Sequence, residues 1–205
     1  MTALKKEPIS QGISQERAEA AVRDLLTLTG DDPDRDGLRD TPKRVVKAFQ
    51  EYFSGYSVDP REYLSKTFDN VSGYNKPVML CGIEFRSHCE HHLAPIIGRA
   101  HVAYLPQNRV VGISKIARVV EIFAKRLQIQ ERMTADIAQT LHESLETHGV
   151  IVMLEAEHHC MASRGVNKPG CRMRTMFTTG VYEQDLHARQ EILSLMRDFR
   201  IDSSA

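Results

Sequence analysis

The chain has 205 residues, with 27 Lys+Arg against 27 Asp+Glu, so its formal charge is zero. A hydrophobic fraction of 41% beside 26% charged residues is that of one water-soluble domain able to bury a real core. Charge balance argues against a dedicated nucleic-acid or anionic-membrane surface, and no apolar run approaches the ~20 residues of a membrane span.

The opening MTALKKEPIS lacks the apolar core of a signal peptide, which points to the cytosol. Between Ser14 and Gly30 the residues Ala18, Ala21, Val22, Leu25 and Leu28 repeat with the 3.6-residue period, predicting a helix ended by Gly30. DDPDRDGLRD reads as an acidic turn region. Thr41, as a hydroxyl cap, and Pro42 open a second helix, whose face of Val45, Val46, Phe49 and Phe53 runs to Gly55. These helices make an N-terminal arm over residues 1–60, and residues 61–205 form the main unit.

Pro77–Cys89 and Ile97–Leu105 read as strands, the second with Ala100, Val102 and Tyr104 alternating against Arg99, His101 and Ala103. Ser114 opens a helix with the stripe Ile116, Val119, Val120, Phe123 and Leu127. A further helix turns Met133, Ile137, Leu141 and Leu145 inward and ends at Gly149. Val150–Met161 and Arg172–Tyr182 are strands, and a last helix spans about Glu183 to Phe199. The order ααββααββα predicts an α+β fold: a four-stranded antiparallel sheet with two helices on one face (ββααββ), between the arm and a C-terminal helix.

Four cysteines are too few and too scattered for a secreted disulfide framework. Five of the nine histidines fall in two clusters that each contain a cysteine, His88-Cys89-Glu90-His91-His92 and His158-His159-Cys160. Thiolate and imidazole are the preferred zinc donors. If the second segment stays a strand, His158 and Cys160 share a face and His159 points the other way. Cys89, Cys160 and either His91 or His92 would make three ligands, leaving the fourth position of a catalytic zinc to water. The remaining imidazoles suit proton transfer near neutral pH. Ser114 and Lys115 sit at a helix start, where free N–H groups favour an anion, and Arg118 lies one turn on. As the bland alternatives, Lys115 and Arg118 are solvated charges, and Glu131 is a favourable first-turn acid.

Cys89-Glu90-His91-His92, the segment Gly112 to Arg118, Gln130-Glu131-Arg132 and His159 to Gly165 resemble GTP cyclohydrolase I, as do Asp40 to Arg44 and Phe53-Ser54-Gly55. The resemblance runs from about residue 15 to about residue 200, with the motifs in the family's order. It implies the tunnelling fold and a homo-oligomer, a decameric ring, in which sheets of several subunits close into a barrel with active sites between them. It assigns one zinc per subunit to Cys89, His92 and Cys160, and catalytic roles to His91, His158 and Ser114. Gln130 falls among the substrate-binding residues, and Glu131 becomes the reader of guanine, a carboxylate accepting from N1–H and the 2-amino group. Lys115, Arg118 and Arg164 match triphosphate-holding positions, and Arg44 matches an arginine that reaches a neighbour's site. The activity implied is hydrolysis of GTP to formate and 7,8-dihydroneopterin triphosphate, the entry to tetrahydrofolate-type pterins. Residues 166–174 depart from the family's Ser/Thr-rich hairpin by being more basic. Two other classes compete with this reading: another tunnelling-fold enzyme acting on a pterin or purine, and a non-enzymatic zinc-stabilised module. The latter would normally close its metal with four protein ligands.

Overall fold

The computed structural model describes residues 12–69 and 74–198; the MTALKKEPIS segment lies outside them. The arm comprises α1 (Gln15–Leu28), α2 (Thr41–Tyr52) and a 3₁₀ turn over Ser54–Ser57, followed by the short α3 (Pro60–Leu64). Then come β1 (Thr67–Asp69), β2 (Val78–Cys89), β3 (Pro95–Leu105), β4 (Arg109–Val111) and α4 (Ile113–Ala124). Next are β5 (Leu127–Gln128), α5 (Gln130–Leu145), β6 (Gly149–His158) and the helical turn α6 (His159–Ala162). β7 (Arg172–Gly180), α7 (Val181–Gln184) and α8 (Leu186–Asp198) complete the described chain.

α1 begins where Arg17 N–H donates to the Ser14 hydroxyl at 3.3 Å. α1 packs against α2 with Ala18, Val22 and Leu26 half-buried, whereas Leu25 and Leu28 are 62% and 82% exposed. α2 is capped by Asp40 rather than Thr41, so Thr41 is the first helical residue and Pro42 the second. Either of those positions tolerates a proline without an N–H. The Asp40 carboxylate is occupied by Arg44 at 3.3 Å instead of capping the helix.

The main sheet has the order β5-β2-β3-β6-β7. The expected four antiparallel strands are β2, β3, β6 and β7, and the fifth, β5, runs parallel to β2. β1 and β4 pair in a separate two-stranded sheet that periodicity cannot reveal at three residues each. Leu127 therefore leaves the α4 stripe for β5. α5 ends in a left-handed Glu146 with φ 49°, and Gly149 starts β6 instead of stopping the helix.

Ile116, Val119, Val120 and Phe123 of α4 and Met133, Ile137, Leu141 and Leu145 of α5 form one buried cluster with Ala100, Val102, Val152 and Leu154 of the sheet. Each fully buried aliphatic side chain contributes roughly 1.5–3 kcal/mol. The opposite face is apolar at one end, where Ala103 and Ile151 meet Tyr182, Ile192 and Met196 of α7 and α8. Tyr182 therefore belongs to α7, not to the last strand. The other end is charged: Glu84, Arg99, Glu155 and Arg174 lie directly opposite one another across four strands. Arg99 pairs with Glu84, and both Arg172 and Arg174 with Glu155, so the basic residues closing the 166–174 stretch find an acid on the adjacent strand.

The arm is fastened to the end of α4. Gly55 N–H donates to Lys125 O at 3.0 Å, and a Cβ at Gly55 would stand 2.0 Å from Ile122 O, so only glycine fits. Arg126 donates to Gly55 O at 3.0 Å and to Val58 O at 3.2 Å.

Candidate active site

β2 ends at Cys89, where the chain turns back: Leu93 N–H donates to Cys89 O at 2.9 Å, and Cys89 N–H to Ala94 O at 2.8 Å. β5 holds this corner by pairing with His88 and Cys89. The turn presents two imidazoles to the Cys89 sulfur, with His91 Nδ1 at 3.6 Å and His92 Nδ1 at 4.0 Å. Cys160 arrives from α6, and ligand atoms of Cys89, His92 and Cys160 lie within 4.8 Å of one another. Soft sulfur donors and an imidazole at this spacing suit a tetrahedral divalent ion. Burial and the neighbouring Cys89 sulfur push the Cys160 thiol up, with Arg164 opposing, so a shared cation would relieve the pair. Cys171 is exposed and Cys81 packs towards the α8 side, so neither belongs to this group.

His158 and Cys160 do not share a strand face. β6 stops at His158, and His159–Ala162 form a helical turn that Ser163 closes by donating from both its N–H and its hydroxyl to His159 O. That turn, not strand alternation, carries Cys160 to Cys89. His88 is drawn elsewhere: its ring lies 4.7 Å from Tyr52 and 5.3 Å from Phe53, and burial lowers its pKa.

His158 Nε2 lies 2.8 Å from Gln130 Oε1. Gln130 is 2% exposed, and its amide nitrogen donates to Leu154 O, Met173 O and Thr175 Oγ1. Three acceptors around one end fix the amide orientation, so its oxygen must face His158 and His158 Nε2 must donate. Thr175 Oγ1 lies 2.6 Å from Thr134 Oγ1, which donates to Gln130 O at 2.7 Å. The chain of donors returns to the residue where it began. Gln130, expected among substrate-binding side chains, thus spends its amide inside the protein. Nothing in the sequence marked Thr175; Thr134 was detectable only as one turn beyond Gln130 on the inner face of α5.

Glu131 is exposed at the first turn of α5, and its charge acts on His158, opposing the larger lowering that burial causes. Arg132 beside it pairs with Glu90 of the metal corner at 3.3 Å. Arg164 is exposed and close enough to act on Cys160. Ser114 and Arg118 are exposed on the first turns of α4, and Lys115 is half-buried. That helix is capped by Gly112, and Lys115 N–H already donates to Gly112 O at 2.8 Å, so this amide is not free for an anion. Arg44 lies on α2, ion-paired with Asp40. A broad concavity, about 1930 Å³, runs over the charged sheet face and includes His88 and His159 but none of the three ligands.

Fold and site together define an α+β protein with a three-donor group able to hold a metal ion, bordered by a half-buried, hydrogen-bonded imidazole and exposed cations. The family model of GTP cyclohydrolase I matches residues 18–197, and the chain belongs to that family. It is 57% identical over 183 residues to GTP cyclohydrolase 1 of Maricaulis maris (strain MCS10), covering 89% of each chain. With GTP cyclohydrolase 1 of Brucella canis (strain ATCC 23365 / NCTC 10854 / RM-666) it is 52% identical over 197 residues, covering 96% of this chain and 90% of the relative. Among solved structures, the apo archaeosine synthase QueF-Like matches with a TM-score of 0.43 and 16% identity, over 51% of this chain and 93% of that one.

Proposed function

We propose that the protein opens the imidazole ring of the guanine of GTP by hydrolysis, releasing formate and forming 7,8-dihydroneopterin triphosphate. The observation that carries this reading is the convergence of Cys89, His92 and Cys160 from two separate elements in a chain of this family. Those three residues would hold one zinc per subunit. Zinc with three protein donors makes water acidic enough to act as a nucleophile at neutral pH.

The chain's own groups do the rest. Guanine C8 is a poor electrophile until N7 is protonated. His158 is the acid: Gln130 occupies its Nε2, which leaves Nδ1 to hold the proton and pass it on. Burial lowers its pKa and so makes the imidazolium a stronger acid, while Glu131 keeps part of that loss back. Glu131 accepts from guanine N1–H and the 2-amino group. Lys115, Arg118 and Arg164 hold the triphosphate, with Ser114 beside them. After ring opening, a second hydrolysis frees formate. Sugar rearrangement and ring closure then need further proton transfers, a role we assign to His91 and Ser114.

Arg44 stands on the arm and serves a neighbouring subunit's site in a homo-oligomer, read as a decamer of the tunnelling-fold type. Support comes from the open edge of β7, which in a monomer would present unpaired backbone groups, and from the uncovered apolar side of α1. The cytosol is the proposed location, and no helix of the described residues is long and apolar enough to cross a membrane. Incubating metal-replete protein with GTP and measuring formate and pterin fluorescence tests the whole reading. Absence of turnover by a folded, metal-loaded sample overturns it.

A further inference from the structure

Lys115 and Arg118 are three residues apart on α4, so two like charges stand one helical turn from each other and repel. Among the described residues no carboxylate forms an ion pair with either. Glu121, the acid one turn beyond Arg118, is taken by Lys125 at 3.1 Å. What meets both cations is a ring: Lys115 Nζ lies 5.6 Å and Arg118 Cζ 5.7 Å from the centroid of Tyr63. Tyr63 is held there from two sides. Arg61 N–H donates to the Asp59 carboxylate at 3.0 Å at the start of α3, and Leu64, the next residue, is 1% exposed in the main core.

We propose that Tyr63 is a positioning residue for phosphate binding, its ring holding Lys115 and Arg118 together so that both charges meet the triphosphate of the substrate. The proposal rests on the reading of those two cations as triphosphate ligands. The physical reason for a ring is that its quadrupole attracts a cation without neutralising it. A carboxylate at the same place would hold the pair more firmly but would compete with the phosphates for it. An aromatic face orients the side chains, offsets part of their repulsion and leaves their full charge for the anion.

The test uses the intact metal-loaded protein. Each exposed cation–ring contact corresponds to roughly a two- to fivefold change in an equilibrium constant. Tyr63→Leu and Tyr63→Met fill similar space without a π face, and both should raise KM for GTP by about 5- to 20-fold while kcat stays within about twofold. Tyr63→Phe keeps the ring and should behave like the parent. The inhibition constant of inorganic triphosphate should rise with KM in the same variants. An unchanged KM in Tyr63→Leu, or a Tyr63→Phe variant as impaired as Tyr63→Leu, overturns the proposal. If the parent itself turns over no GTP, the functional reading falls separately. Calorimetric binding of inorganic triphosphate to parent and Tyr63→Leu then still decides the role of Tyr63: weaker binding supports it, and equal binding overturns it.

Discussion

His158 and Cys160 are two residues apart in the chain but belong to different elements, one ending β6 against Gln130 and the other turning in α6 toward Cys89. The break between strand and turn separates two chemical jobs. Cys160 can give its sulfur to a metal while His158 keeps both ring nitrogens for hydrogen bonding and proton transfer.

Cys160→Ser should therefore lose most bound zinc and all GTP turnover. Cys171→Ser, altering an exposed thiol outside the group, should keep both. Metal analysis of the two purified variants checks this. The ligand assignment fails if the Cys171 variant is the one that loses zinc.

His158→Ala should retain the metal and lose ring-opening rate by roughly 10²–10⁴, the usual contribution of a positioned acid. Zinc content and formate release are measured on the same preparation. Zinc loss in this variant would mean that ligand and acid have been exchanged.

Glu131→Gln replaces one acceptor by an NH₂ facing a donor, at nearly unchanged size. A charge-assisted hydrogen bond contributes ~1.5–3 kcal/mol, so kcat/KM for GTP should fall at least ~10-fold with zinc unaltered. Glu131 as a mere first-turn acid would be worth ~0.3–1 kcal/mol of stability and nothing in turnover. A lowered melting temperature with normal kinetics selects that second role.

Arg44→Ala and Cys160→Ser should each be inactive alone and recover part of the activity after subunit exchange, if Arg44 completes a neighbour's site. Activity of the mixture against each variant alone is the readout. A fully active monomer, seen by sedimentation, contradicts both the oligomer and the shared site.

Acid should destabilise the fold through His101. Its Nδ1 is buried without a hydrogen-bond partner among the described residues, and its pKa is lowered by burial first, with Arg99 and Arg174 adding and Glu155 opposing. A depressed histidine resists protonation only in the folded state. Stability is thus intact above the unfolded value of about 6.5 and declines as pH falls from there through the folded value. Urea unfolding at pH 7.5 and 5.5 should show the loss, and His101→Gln should show less of it.

Regular elements were legible because a periodic apolar pattern is a local property. α4, α5 and the four long strands follow from it, and so does the α+β arrangement with two helices on one face. Residue types likewise pointed to a group able to hold a metal, since sulfur and imidazole donors fall together in two short clusters. Boundaries were less legible. Local pattern puts Thr41 at the α2 cap where Asp40 stands, Leu127 in a helix where it pairs with β2, and Cys160 on a strand where it lies in a turn. Only Leu127 is overridden by a contact distant in sequence, its pairing with His88; the other two boundaries are set within one turn, where Arg44 meets Asp40 and Ser163 closes on His159.

The sequence by itself determined the donors: which sulfurs, imidazoles, carboxylates and cations exist, and on which predicted element each stands. Only the tertiary structure decided their partners. It brought Cys160 to Cys89 across 71 positions, closed the Gln130–Thr175–Thr134 chain that orients His158, and laid Tyr63 over Lys115 and Arg118. Hydrogen bonds and ring contacts act over a few ångströms in space, and no period along the chain records them.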